Sequence, residues 1–420
     1  MRIRLTRRLL GAACGAAILT CGFAPAAFAE ADVQVAAPAT AGVSAEGLAR
    51  LDAEMQGLAD QKKLAGATTL LARHGKVVHF QAYGVQDVTS GVPTTRETIY
   101  RIASMTKPIT GVAMMILWEE GKWKLDDPVS KHIPEFEGLQ VATAGDGTEA
   151  QAHPMTMREL MSHTAGFDVS AGYDDDGLQD GDLQAMIDKL ARLPLAVQPG
   201  SDWRYGPSVN IQGYIVEKLS GQSLDQFFAT RIFQPLKMDD TGFHVDEAKL
   251  SRVAGVHTYG EDGLIRTAGE VRPAPTRPPQ FLSGSGGLFS TAEDYYRFAQ
   301  MLLNGGELDG VRILKPETVE LMRANVLNEG VTVDLYGPSQ DGVGFGMDFA
   351  VILDPEAAGT PQGENSFYWG GAFGTWFWID PTYDLVFVGM IQNLRGSIPG
   401  AGTPPMREIS PRLVYQALTE

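Results

Sequence analysis

The chain has 420 residues, of which 44% are hydrophobic and 20% are charged, and its net charge is −17 at pH 7. This composition is typical of a soluble globular protein large enough for two lobes, and the acidic balance disfavours nucleic acid and anionic membrane surfaces as partners. After residue 30, no stretch approaches the roughly 18 uninterrupted apolar residues of a membrane helix, so we expect no membrane span in the mature protein.

The N-terminal segment, residues 1–29, has the pattern of an export signal. An apolar run from Leu9 to about Phe23 is followed by a small-x-small cleavage site at residues 27–29. Four arginines precede the run: Arg2, Arg4, Arg7 and Arg8. Residues 6–10 partly match a twin-arginine signal, with ordinary secretion as the alternative and a lipid anchor on Cys21 as a lesser one. We therefore predict an exported protein, periplasmic or secreted, that lacks residues 1–29.

Removal of this segment changes the chemistry available to the mature chain. Both cysteines, Cys14 and Cys21, are lost, so we expect neither disulfides nor thiol chemistry. The mature chain keeps 30 of the 34 basic residues against 51 acidic ones, which gives a net charge of −21. The seven histidines are scattered, with no H-E-x-x-H motif and no EF-hand loop, so we expect no metal and no cofactor.

Strand patterns lie at both ends of the chain, and helix patterns lie between them. After an amphipathic helix at 45–64, residues 67–73 and 77–83 are predicted as a hairpin around the turn 74–76. Strands are also predicted at 367–369, 374–380 and 385–392, and helices near 109–120, 156–162, 182–192, 208–220 and 223–230. This order predicts an α/β lobe built from residues 44–104 and 285–420, with an inserted, mainly helical lobe at 105–284 and a pocket between them.

Ser104 and Lys107 are three residues apart at the start of a predicted helix. Pro108 in the first turn and apolar residues at helical spacing predict that helix: Ile109, Val112, Met115 and Ile116. The unpaired backbone N–H groups of a helix start favour a developing oxyanion. Lys107 can accept the Ser104 proton only if burial or nearby cations lower its pKa, so this hypothesis requires a closed pocket. The alternative is a serine N-cap followed by a solvated lysine.

Two further motifs carry candidate chemistry. Tyr205 lies on a predicted loop ahead of a helix, where a phenol can transfer a proton if a cation is near; the alternative is a packing aromatic beside Trp203. Gly370 and Gly371 follow Trp369 in a predicted strand. Paired glycines mark a close backbone approach, as in an oxyanion hole, or alternatively a bulge.

The order of these motifs resembles the serine β-lactamase and penicillin-binding-protein superfamily, and most closely the class C β-lactamase-like family VIII carboxylesterases. The resemblance implies a serine β-lactamase-like α/β (α+β) fold, with an antiparallel sheet flanked by helices and built from both chain ends. No G-x-S-x-G elbow occurs, which disfavours an α/β-hydrolase. Supporting phrases are spread along the chain at residues 100–103, 160–166, 198–200, 285–291 and 344–348.

The resemblance also implies roles for individual residues. Ser104 would attack an acyl carbon, and Lys107 and Tyr205 would share proton transfer, with the identity of the general base left open. The backbone N–H groups of Ser104 and Ala372 would form the oxyanion hole. The reaction would pass through a covalent acyl-enzyme that water resolves.

Departures from the lactamase pattern indicate the substrate. Trp369, Gly370 and Gly371 stand where lactamases carry Lys-Thr-Gly, so a cation that binds the β-lactam carboxylate is missing. Pro207 replaces the asparagine of Tyr-x-Asn, for which Ser208 or Asn210 could partly substitute. We therefore expect a small, uncharged carboxylic ester as the substrate. The alternatives are a β-lactamase, a D-amino-acid peptidase or carboxypeptidase of the same superfamily, and a non-catalytic binding protein on this fold.

Three other residues are expected to be structural. His163 follows a helical stretch, where its ring can bond helix-end carbonyls and fix a loop. Trp376 and Trp378 lie two apart on a predicted strand and are expected in the core or in a cleft wall.

Overall fold

The protein was analysed as a computed structural model that describes residues 33–145, 147–168, 177–269, 273–334, 340–396, 398 and 400–419. The predicted export signal, residues 1–29, lies outside this part of the chain. The helices are α1 (Ala45–Asp60), α2 (Thr106–Glu119), α3 (Met157–Met161), α4 (Leu183–Leu190), α5 (Ser208–Ser220), α6 (Leu224–Phe228), α7 (Gln234–Leu236), α8 (Ala292–Leu303), α9 (Pro316–Arg323) and α10 (Met406–Ala417).

The strands of the main sheet come from both ends of the chain, as the sequence predicts. The strands are β1 (Gly66–Arg73), β2 (Lys76–Gly84), β3 (Tyr100–Arg101), β4 (Gln140–Ala142), β5 (Thr148–Ala150), β6 (His257–Tyr259), β7 (Ile265–Thr267), β8 (Phe289–Ser290), β9 (Glu307–Leu308), β10 (Val311–Arg312), β11 (Val343–Phe345), β12 (Ala350–Ile352), β13 (Phe367–Gly370), β14 (Trp376–Asp380) and β15 (Leu385–Met390). The main sheet has the order β11-β12-β13-β14-β15-β1-β2, and its neighbouring strands are antiparallel. The predicted antiparallel sheet is therefore confirmed.

The β1–β2 hairpin turns through two residues. Arg73 pairs with Lys76, so the turn consists of His74 and Gly75, whose φ angles are 54° and 67°. A two-residue turn with positive φ at both positions matches the twist of the strands it joins. Lys76, predicted as part of the turn, is instead the first residue of β2.

The centre of the sheet is buried on both faces, which explains its continuous apolar runs. The strands β14 and β15 are buried along their whole length. One face packs against α8, and the other packs against a core cluster contributed by α1 and α10. Trp376 and Trp378 lie in that cluster at 2% exposure, which supports a core role.

Two helices differ from their predicted form. The helix predicted at 45–64 ends at Asp60, because Lys62 has a φ of 56° and the chain then turns Leu64 into the core. The helix after Lys107 is buried from Thr106 to Leu117, not along a single apolar stripe. A helix covered on all sides is typical of a protein interior. The predicted lobe boundaries at residues 104 and 285 remain a prediction.

None of the helices in the described ranges has the length and apolar character needed to cross a membrane. In the same ranges, no three His, Cys, Asp or Glu side chains are grouped so that they could hold a metal ion.

Candidate active site

Ser104 lies in a tight turn just ahead of α2. The turn is a 3-10 helix, Ala103–Met105, and the N-cap of α2 is Met105, not Ser104. The alternative in which Ser104 caps the helix is therefore wrong. Ala103 has a φ of 44°, in the left-handed region that non-glycine residues seldom adopt. Such backbone strain persists only where surrounding contacts hold it, and it is common at active sites.

Three hydrogen bonds hold the Ser104 turn. The Tyr295 hydroxyl of α8 donates to the Met105 carbonyl at 2.8 Å. On the other side, the Ile102 carbonyl accepts from the Thr375 hydroxyl at 3.2 Å, while the Ile102 N–H donates to Leu288 at 3.0 Å. The turn is thus fixed between the sheet, α8 and the segment that leads into β8.

Lys107 is buried with its amine beside Ser104. Its Nζ donates to Ser104 Oγ at 3.3 Å and to the Ser285 carbonyl at 2.8 Å. The same nitrogen lies 4.5 Å from the centroid of the Tyr205 ring. Burial lowers the pKa of Lys107 to about 7, and Asp348 opposes that shift. The alternative of a solvated lysine is therefore wrong, and the burial of the amine that the hypothesis requires is present.

Tyr205 faces the same point from the loop ahead of α5. Its ring packs against the rings of His163 and Trp369, with centroids 4.9 and 5.8 Å away. Burial raises the pKa of the Tyr205 phenol, while hydrogen-bonding groups of Ser104 and Trp369 act in the opposite direction. The phenol is therefore protonated at neutral pH and close to the Ser104 hydroxyl, where it can donate a proton.

The turn after β13 lies against Ile102, two residues before Ser104. In this turn, Gly371 N–H donates to the Thr375 carbonyl at 2.7 Å. A Cβ on Gly371 would lie 2.3 Å from the Ile102 carbonyl oxygen, so only glycine permits this approach. The next N–H, that of Ala372, donates to no backbone carbonyl within the described ranges. The predicted oxyanion role of Ser104 and Ala372 remains a prediction, and this geometry is compatible with it.

A cation that the sequence did not indicate lies beside the Trp369-Gly370-Gly371 segment. Arg407, from α10, donates through Nη2 to the carbonyls of Gly371 at 3.1 Å and Thr375 at 3.2 Å. A Cβ on Gly370 would lie 2.2 Å from the same nitrogen. Arg407 comes from a position 36 residues further along the chain than Gly371, and the expected loss of the lactamase lysine at residue 369 remains a prediction.

Asn210 contacts the loop that carries Ser285. Its Oδ1 accepts hydrogen bonds from Ser283 Oγ at 3.0 Å and Ser285 N–H at 2.9 Å. Because the Ser285 carbonyl accepts from Lys107, Asn210 holds the loop that positions the lysine. The assignment of Asn210 to the substrate pocket remains a prediction. Ser208 is buried at the first position of α5, and its assignment to the substrate pocket remains a prediction.

His163 is structural, but not in the way expected. Neither ring nitrogen has a hydrogen-bond partner among the residues that the structure describes, so the ring does not bond helix-end carbonyls there. The ring instead packs against Trp203, Tyr205 and Phe345, with centroids 5.6, 4.9 and 5.6 Å away. Burial, reinforced by Lys107, lowers the pKa of His163 well below its usual value. The imidazole is therefore a neutral packing group.

Asp348 is a second buried ionisable group near Lys107 that the sequence analysis did not single out. It lies between β11 and β12, is 1% exposed and has a φ of 65°. Gln212 Nε2 donates to Asp348 Oδ1 at 3.2 Å. Residues 344–348 were noted only as a supporting phrase, because the sequence gives no signal that this carboxylate reaches α2.

The chain matches the family described as Beta-lactamase over residues 51–402. It belongs to the β-lactamase family. It is similar to Esterase EstB of Burkholderia gladioli, with 32% identity over 389 residues, 86% of this chain and 94% of that protein. It is also similar to a lovastatin esterase of Penicillium rubens, with 28% identity over 81% of this chain and 92% of that protein.

A solved structure of EstCE1, described as a hydrolase with promiscuous acyltransferase activity, has a similar fold. The TM-score is 0.73 at 28% identity, and the match covers 89% of this β-lactamase-family chain and 99% of EstCE1. The resemblance stated from the sequence motifs and the predicted fold class are both confirmed by these matches.

Proposed function

We propose that this β-lactamase-family protein is a serine hydrolase that cleaves small carboxylic esters through a covalent acyl-enzyme. The observation that carries the proposal is the convergence of Ser104, Lys107 and Tyr205, with the lysine amine 3.3 Å from the serine oxygen and 4.5 Å from the tyrosine ring. The names of two relatives, Esterase EstB and lovastatin esterase, support an ester as the substrate class.

The proposed acylation step uses the unprotonated form of Lys107. With a pKa near 7, a substantial fraction of the amine is neutral at neutral pH and can accept the Ser104 proton. Ser104 Oγ then bonds to the ester carbonyl carbon, and the negative charge on the carbonyl oxygen is stabilised by the N–H groups of Ser104 and Ala372. Cleavage of the C–O bond releases the alcohol, which takes up a proton from Tyr205 or Lys107. The order in which these two groups act stays open.

Deacylation reverses the proton transfers. Water takes the place of the alcohol, loses a proton to the Lys107–Tyr205 pair, and attacks the acyl carbon. The Ser104 oxygen leaves and regains its proton, and the carboxylic acid departs. Each turnover therefore consumes one ester and one water, and the protein returns to its starting protonation state.

The shape of the pocket wall supports a neutral ester. Trp369 contacts Tyr205 and Phe345, so an aromatic surface lines the site where lactamases carry a lysine. Arg407 is the specific observation that favours the alternative, an amide hydrolase acting on β-lactams or D-amino-acid peptides, because a guanidinium can bind a carboxylate. The Arg407 guanidinium already donates hydrogen bonds to the carbonyls of Gly371 and Thr375, so fewer of its N–H groups can bind a carboxylate. We therefore favour an ester over an amide as the substrate.

Substrate comparison on the purified mature protein tests this proposal. We expect a neutral butyrate ester to be hydrolysed with a higher kcat/KM than a cephalosporin, and both activities to be lost in Ser104→Ala. Higher kcat/KM for the cephalosporin would favour the amide hydrolase. Hydrolysis that persists in Ser104→Ala would indicate a different nucleophile. No hydrolysis and no labelling of Ser104 by a fluorophosphonate would indicate a binding protein.

We also propose that the protein is exported, on the basis of the arginines, apolar run and cleavage site in residues 1–29. The mature protein recovered from the periplasm or medium should then begin at Glu30. Uncleaved protein confined to the cytoplasm would contradict export.

A further inference from the structure

The surroundings of α2 contain a space that a buried carboxyl group fills. Gly111 lies four residues after Lys107, so the two residues occupy the same face of the helix. A Cβ on Gly111 would lie 2.8 Å from Asp348 Oδ2 and 3.3 Å from Asp348 Cβ. The absence of a side chain at residue 111 therefore allows the carboxyl group to rest against α2, one turn beyond Lys107.

The Asp348 carboxyl group is held on one oxygen only. Gln212 Nε2 donates to Oδ1 and also to the Leu160 carbonyl, both at 3.2 Å. The Asp348 N–H donates to the Met161 carbonyl at 3.1 Å. The second oxygen, Oδ2, is buried and has no hydrogen-bond partner in the described part of the chain. An unpaired buried carboxylate oxygen is costly unless a nearby charge compensates it.

The available compensating charge is the Lys107 ammonium. Three titratable groups surround Lys107: Tyr205, His163 and Asp348. Tyr205 and His163 are neutral. A further charged group, Arg407 of α10, acts on Tyr205. Burial raises the pKa of Asp348 well above its usual value and lowers that of Lys107 to about 7, while each group shifts the pKa of the other towards its charged form. The two groups therefore form an electrostatic pair in which the charge on one depends on the charge on the other.

We propose that Asp348 is a positioning residue of the Ser104 site, whose buried carboxylate favours the protonated form of Lys107 and so sets the pH above which the amine can accept the serine proton. The inference rests on the proposed function, because it assigns Asp348 an effect on the Lys107 base. Asp348 acts through Lys107 and does not touch the reacting atoms. Its φ of 65° lies in a region that aspartate and asparagine adopt more readily than other non-glycine residues.

The test is the pH dependence of kcat/KM for a neutral butyrate ester, which does not itself titrate. In Asp348→Asn, the amide keeps the size, the Gln212 hydrogen bond and the tolerance of a positive φ, but the negative charge is lost. Without that charge the protonated amine is less stable, so the acidic limb of the profile should move to lower pH by about one unit or more. Below the wild-type midpoint, the variant should therefore be faster than the wild type.

Two further variants make the result specific. Gly111→Ala introduces a Cβ only 2.8 Å from Asp348 Oδ2, so it should move the carboxyl group away from α2 and shift the limb in the same direction. If Asp348→Asn does not fold, the position of the limb in Gly111→Ala tests the role of Asp348. The matched control is Asp294→Asn, which removes a buried carboxyl group whose pKa burial raises to about 7 but which bonds Thr241 and the Asp240 N–H instead. This control should leave the limb unchanged.

The possible failures are distinguishable. If hydrolysis persists in Ser104→Ala, the proposed function fails. If hydrolysis requires Ser104 but the limb of folded Asp348→Asn stays at the wild-type pH, only the role of Asp348 is overturned. A limb that moves equally in Asp294→Asn would also overturn it, because the shift would then reflect any loss of buried charge.

Discussion

At the scale of single residues, the site depends on how burial changes the protonation of Lys107. An exposed lysine is protonated at neutral pH and cannot take a proton from serine. Here burial lowers the pKa of Lys107 to about 7, whereas burial raises that of Tyr205. The two groups thus enter the reaction with complementary roles, one able to accept a proton and the other able to donate one.

The Lys107 pKa predicts both a pH profile and the effect of a conservative substitution. Because the folded pKa lies below the ordinary value, the neutral amine is lost only as pH falls through about 7, so kcat/KM should decline below that pH. Lys107→Arg keeps the positive charge but cannot be deprotonated, so it should lower kcat by about 10²- to 10⁴-fold at every pH. Steady-state kinetics from pH 5 to 9 measure both effects. An arginine variant with wild-type kcat and the same acidic limb would contradict a base role for Lys107.

The sequence could predict the convergent residues but not the residues that support them. Ser104, Lys107 and Tyr205 are recognisable because their residue types and order carry chemical meaning. The contacts of Asp348, Arg407 and Asn210 arise from chain segments far apart in sequence, and their local sequence has no special pattern. The contact of Asn210 with the Ser285 loop and the position of Arg407 beside Gly371 could not be predicted for this reason.

At the scale of structural elements, the turn after β13 packs against the segment that leads into Ser104. Gly371 lies against the Ile102 carbonyl, and Arg407 binds the carbonyls of Gly371 and Thr375. The strand pattern and paired glycines predicted a close approach. They did not predict its partner, because Ile102 belongs to a segment about 270 residues earlier in the chain.

A methyl group at Gly371 should separate this turn from the Ser104 segment. In Gly371→Ala, the new Cβ would meet the Ile102 oxygen and Thr375 Oγ1, each at 2.3 Å, so the turn must move. We expect a loss of about 1–3 kcal/mol in the free energy of unfolding. We also expect kcat to fall by about 10²-fold or more, because the Ala372 N–H moves with the turn.

The control for this substitution is Gly57→Ala in α1. Its new Cβ would meet only Gln61 Nε2, at 3.7 Å. Alanine is favoured over glycine within a helix, so the free energy of unfolding should rise by about 0.5–1 kcal/mol with kcat unchanged. Chemical denaturation and kinetics of both variants provide the comparison. Full activity in Gly371→Ala would show that the turn has no part in catalysis.

At the scale of the whole molecule, the fold joins the two ends of the chain in one sheet. The strand order places β15 beside β1, with Leu70 opposite Val388. Strand patterns at both ends of the chain, with helix patterns between them, made one sheet from both ends predictable. The end of α1 and the complete burial of α2 could not be predicted, since both depend on which surfaces the rest of the chain covers.

The architecture explains why the site can be rigid. The Ser104 turn is anchored by α8 and by the turn after β13, and Tyr205 is packed among aromatic rings. Groups held in this way need little reorganisation during reaction, which is the condition for effective transition-state stabilisation.

The most direct measurement is mass spectrometry of the protein after brief reaction with an activated butyrate ester and rapid acid quench. The account predicts one butyryl group on the peptide that contains Ser104, more of it in Tyr205→Phe if the phenol assists deacylation, and none in Ser104→Ala. Ester turnover with no acyl adduct in either the wild type or Tyr205→Phe, or a butyryl group carried on another residue, would contradict it.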